Sequence, residues 1–116
     1  MTTLRATSSH SIPDRPPIQV VRGQRVQAGQ RDTEWPEFVF VIADGGAGWV
    51  PGRFLDTSSD PALVLADYDT TELATTAGEA LTLVERDDRS GWAWLRNEAG
   101  QEGWVPLRTV ATVPGT

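Results

Sequence analysis

Hydrophobic positions along this chain fall in short runs, most of them with a period of two. Val26 and Ala28 alternate with Gln27 and Gln30, the pattern of a strand with one buried face. Glu37 to Ile42 is nearly all apolar, aromatic or β-branched, as in a central strand covered on both sides. Ile18 to Val21 predicts a short strand before them, and Asp44-Gly45-Gly46 a hairpin turn after them. Ala62 to Tyr68, Ala80 to Glu85, Trp92 to Arg96 and Val110 to Val113 read as strands for the same reasons. Glu72 to Leu83 could pass for a helix, but Thr75, Thr76 and Gly78 are poor helix formers, so no helix is predicted.

The strands come in two sets. Gly48-Trp49-Val50-Pro51 recurs as Gly103-Trp104-Val105-Pro106, and around it Gly23 matches Gly78, Val26 matches Leu81, Phe38 to Val41 matches Trp92 to Leu95, and Leu55 matches Val110. In such a tetrapeptide Trp and Val point to opposite faces of a strand, while Pro ends the pairing and opens a 3₁₀ turn. The repeat predicts two modules of about 45 to 60 residues, close to the lower limit for independent folding. Their expected bounds are 18–57 and 62–113, after a flexible Pro/Ser/Thr-rich arm over 1–17. Nothing before Ile18 looks like the first strand of module two. The residues just before Ile18 therefore either supply the first strand and loop that module one lacks, or present Pro13-Asp14-Arg15-Pro16 as a polyproline II segment.

Composition narrows the chemistry. There is no cysteine, hence no disulfide and no thiolate nucleophile or ligand. The single histidine, His10, lies in the arm, and no phosphate-cradling glycine loop or metal-ligand spacing is present. An enzyme is not expected, nor a metal or other cofactor. The charge of −6 is concentrated after Ser58 and opposes nucleic-acid binding, which needs a basic face. The polar start and the lack of a long apolar run predict a soluble, cytoplasmic chain with no membrane contact.

Leu65-Ala66-Asp67-Tyr68, Glu72-Leu73, Gly78-Glu79, Gly91-Trp92, Gly103-Trp104-Val105-Pro106 and Val110 follow one another in an order that resembles the Src-homology-3 (SH3) domain family. The first module is similar to the degenerate copies found in bacterial proteins. The resemblance implies an all-β chain of two tandem small SH3-like β-barrels, with no helix beyond short 3₁₀ turns. It also implies a non-catalytic module that binds an extended or Pro-rich segment of a partner protein. The groove implied is Tyr68, Trp92 and Pro106, rimmed by Asp69 and Glu72 in one loop and by Asp87 and Asp88 in the other. Two family rings are replaced, by Ala66 and Thr109. The alternative is an accessory subunit whose barrel faces stabilise a larger complex, with Trp92 buried rather than open. Partner identity and oligomeric state do not follow from the sequence.

Overall fold

The computed structural model describes residues 2–113. Its strands are β1 (Thr3–Ala6), β2 (Gln19–Val20), β3 (Arg25–Arg31), β4 (Phe38–Ala43), β5 (Gly46–Pro51), β6 (Leu55–Asp56), β7 (Ala62–Val64), β8 (Tyr68–Asp69), β9 (Ala80–Asp87), β10 (Trp92–Arg96), β11 (Glu102–Pro106) and β12 (Val110–Thr112). The chain is all-β: the helical elements among the described residues are two 3₁₀ turns, Gly52–Phe54 and Leu107–Thr109. Each follows the proline of a Gly-Trp-Val-Pro copy, as that motif predicts. No helix is long and apolar enough to cross a membrane.

Two compact units form, and their boundaries fall away from the expected ones. Arg15–Thr70 makes one, here called the contiguous unit. The other, the split unit, joins the residues up to Asp14 to those from Thr71 onward. In the contiguous unit the sheet order is β5-β4-β3-β7-β6, accompanied by a β2-β8 ribbon; in the split unit it is β11-β10-β9-β1-β12. All pairs are antiparallel, and the two orders coincide when β1 is set against β7.

The arm expected over 1–17 thus contains a paired strand. Leu4 lies opposite Leu81 on one side and Thr112 on the other, and Ala6 lies opposite Val110. Both are buried, in a core with Leu73, Leu81, Ala93, Leu95 and Val105. Ala62–Val64, expected to open the second module, pairs instead with β3 and β6, placing Ala62 opposite Val26 and Val64 opposite Leu55. It supplies the strand that module one lacks, so that role does not fall to the residues just before Ile18. The physical reason is strand pairing. A short apolar strand such as Leu4-x-Ala6 or Ala62-x-Val64 presents a row of unpaired backbone groups, and a sheet with an open position satisfies them wherever the chain can reach it.

Gly23 and Gly78, matched in the sequence repeat, hold φ of +90° and +93° in the turns before β3 and β9, a region closed to most side chains. The first glycine of each Gly-Trp-Val-Pro copy has another duty. A Cβ on Gly48 would come within 3.0 Å of Thr70 Oγ1, and one on Gly103 within 2.7 Å of the backbone at Glu72 and Leu73. Both positions are bare so that a neighbouring segment can lie close.

Trp94 and Trp104 face each other across β10 and β11 with their rings edge to face at 5.4 Å. The Trp94 indole N–H donates to Glu102 Oε1 at 2.6 Å and Arg96 Nε donates to Oε2 at 2.8 Å. Those two donors, the indole first, hold the Glu102 carboxyl below its ordinary range. A depressed carboxyl contributes stability in full above its unfolded value and loses it as pH falls through the folded one. Trp94→Phe should therefore raise the Glu102 titration midpoint and flatten the loss of stability below pH 5, as carboxyl NMR and acid titration of the melting temperature would show. An unmoved Glu102 midpoint would contradict this.

Candidate functional site

The residues singled out by sequence divide between the units. Glu72, Asp87, Asp88, Trp92 and Pro106 belong to the split unit, and Tyr68 and Asp69 to the contiguous one.

In the split unit, Trp92 opens β10 with Pro106 as its cross-strand partner on one side and Asp87 on the other. An aromatic ring, a proline and a carboxylate therefore lie in one row across three strands. Trp92 keeps only 9 % of its surface exposed. Asp87 ends β9 and holds the following turn, its backbone carbonyl accepting the Gly91 N–H at 3.0 Å and the Ser90 hydroxyl at 3.3 Å. Asp88 points outward and pairs with Arg86 at 2.6 Å, both largely exposed, so the pair contributes little stability.

Glu72 lies on the segment that runs beside β11. Its residue pairs with Trp104, while the Leu73 N–H donates to the Trp104 carbonyl and the Trp104 N–H to that of Thr71. This explains the bare Gly103, whose Cβ would strike that backbone. The Glu72 carboxylate is held by a residue of the segment expected to be a flexible arm: His10 Nε2 lies 2.9 Å from Glu72 Oε1. A carboxylate can only accept, so Nε2 carries the hydrogen. His10 and Thr75 exchange both backbone hydrogen bonds at 3.0 Å, and the imidazole and the Trp92 ring meet edge to face, centroids 5.4 Å apart and planes at 79°.

In the contiguous unit, Tyr68 and Asp69 form β8, opposite Val20 and Gln19. Gln19 Nε2 donates to the Asp69 carboxylate at 3.1 Å. The Tyr68 ring meets Phe54 of the 3₁₀ turn edge to face at 5.6 Å, and the Arg53 guanidinium stands 4.8 Å over Phe54 while pairing with Glu37 at 3.2 Å. Phe38 and Pro51 are cross-strand partners there, as Trp92 and Pro106 are in the split unit. A second aromatic cluster results, edged by arginine.

His10 and its place were missed because the repeat was anchored on Gly-Trp-Val-Pro. Strand register supplies the missing alignment. Val26 corresponds to Leu81 and Leu55 to Val110, so Ala62 falls at Leu4 and Val64 at Ala6, and the same offset sets Tyr68 at His10. Ala6-x-x-x-His10 against Val64-x-x-x-Tyr68 was the available signal, and it is faint.

No group of three or more His, Cys, Asp or Glu side chains that could hold a metal ion occurs among the described residues. Among the comparisons with known proteins, residues 64–107 match the family model of the SH3 domain. No curated protein matches the chain. The matched stretch runs across the boundary between Thr70 and Thr71, so its first residues lie in the contiguous unit and the rest in the split one.

Proposed function

We propose that the chain, whose residues 64–107 match the SH3 domain family model, is a non-catalytic interaction module that binds an extended or Pro-containing segment of a partner protein. The segment lies on the Trp92–Pro106 face, and Glu72, Asp87 and Asp88 meet a basic residue of it. The observation that carries this reading is the row of ring, proline and carboxylate across β11, β10 and β9. A polyproline II ligand suits such a row because its prolines pack on rings and its preformed helix loses little entropy on docking. The rim charges are partly or largely exposed, so each ion pair with the ligand is worth about 0 to 1 kcal/mol and is screened by salt.

A fluorescent Pro-rich peptide carrying one terminal arginine tests this by anisotropy. Binding is expected to weaken several-fold between about 50 mM and 500 mM salt, where the Debye length shrinks below about 5 Å. It should be lost in Trp92→Ala and largely kept in Trp92→Phe. Failure of any such peptide to bind the folded chain would sink the reading.

The burial of Trp92 favours a second one: an accessory subunit in which the barrel faces stabilise a larger complex. Under it, no peptide of this class binds, and Trp92→Ala lowers the melting temperature alone.

A further inference from the structure

We propose that His10 completes the peptide site of the split unit, in the position Tyr68 was expected to fill, and tunes its charge preference: a basic peptide binds more tightly while the imidazole is neutral and more weakly when it is protonated. The proposal rests on the peptide-binding reading. It follows from three placements, all inside one unit. The register sets His10 where Tyr68 stands in the contiguous unit. The imidazole meets Trp92, the central ring of the row, edge to face. Its Nε2 donates to Glu72, one of the three acids proposed above to meet the ligand's cation.

The chemistry follows from a shared carboxylate. A neutral imidazole donating to Glu72 leaves a full negative charge for the ligand, and the second carboxylate oxygen has lone pairs to spare. A protonated imidazole forms an ion pair with it, and the local charge falls to zero. The ligand's arginine then finds no net attraction there. Histidine is the side chain whose ordinary titration lies between pH 5 and 8, and His10 is the only one in the chain.

Other charges stand on the elements around it. Asp87 is the cross-strand partner of Trp92, Asp88 is paired with Arg86, and Arg108 lies in the turn after Pro106. Asp87 and Asp88 are further acids of the same rim, so the effect on affinity is graded. His10 and Glu72 keep 15 % and 19 % of their side-chain surface, enough for a ligand to reach them.

The test is peptide affinity at pH 7.5 and 5.5, with the arginine-bearing Pro-rich peptide and a version in which glutamine replaces the arginine. Wild type should bind the basic peptide about two- to fivefold more weakly at pH 5.5, the size expected of one partly exposed ion pair. The glutamine version should show no such change. His10→Phe keeps a ring against Trp92 and should remove the pH dependence. His10→Gln, which retains an uncharged donor, should do the same and serves if the Phe variant does not fold. Peptide addition should also shift the His10 Cε1–H resonance, which needs no assignment because the protein has one histidine.

Equal affinity at both pH values, pH dependence that survives in the folded His10 variants, or an unmoved resonance on binding would overturn the role of His10 while leaving the peptide site standing. Absence of binding by wild type at pH 7.5 would remove the site itself, and this proposal with it.

Discussion

Deleting residues 1–12 should unfold the split unit while the contiguous one keeps its structure. The deletion removes β1, which stands between β9 and β12, and β12 has no other neighbour in the sheet order. It also takes Leu4 and Ala6 out of the core. Leu4→Ala by itself should cost about 2 to 5 kcal/mol, the usual range for a buried leucine. A small domain has roughly 5 to 15 kcal/mol to lose, and a unit this small lies near the low end. Amide hydrogen exchange reads the result residue by residue: protection should vanish over β9 to β12 and persist over β3 to β7. A flexible arm would leave both sets protected.

Gly103→Ala should be strongly damaging, and Gly48→Ala a milder change at the matching position. At Gly103 the new Cβ would sit 2.7 Å from the Glu72 carbonyl carbon and the Leu73 nitrogen, atoms of a backbone that is itself paired to Trp104. Neither side can move without breaking that pairing. Overpacking of this kind costs about 1 to 3 kcal/mol or more, and moving the segment also displaces Glu72 and the hydrogen bond to His10. At Gly48 the obstacle is the Thr70 side chain, which can rotate. Rotation gives up its hydroxyl bonds with the Ile18 N–H and carbonyl, at about 1 kcal/mol for a typical hydrogen bond. Thermal melts of the two variants should separate clearly. Equal losses would show that the close approach at Gly103 is relieved by some other movement.

Most strands were legible because period-two alternation and turn chemistry are local. Val26 to Ala28, the run from Phe38 and the two Val-Pro ends announced themselves within a few residues. Partner choice was not legible. The pairing of β1 with β9 and of β7 with β3 joins residues far apart in the chain, and a strand as short as Ala62–Val64 fits either sheet by pattern alone. The candidate site inherited that limit. Trp92, Pro106 and Asp87 lie side by side because they are partners on adjacent strands. Tyr68 was assigned beside them by chain order, whereas its ring packs on Phe54 in the other unit. His10 carried no signal of its own, since a lone histidine among serines and prolines reads as a polar tail. What hides in the sequence is size order: Leu4-x-Ala6 is large then small, Ala62-x-Val64 small then larger. Exchanging the two strands would leave a cavity at the Leu4 position and crowd the Ala6 position, so packing favours the observed partners.

The split of one unit around the other also sets a timetable for synthesis. A ribosome delivers residues 15–70 as one uninterrupted stretch, so the contiguous unit has all its strands as soon as Thr70 leaves the exit tunnel. Leu4 and His10, made before any of it, must wait for β9 to β12, which are made after it. β1, made before the contiguous unit, finds its sheet only after that unit is complete, and until then it is an unpaired segment open to other chains. The serines and threonines around it, Thr2, Thr3, Thr7, Ser8 and Ser9, keep that waiting segment soluble and its apolar run only a few residues long.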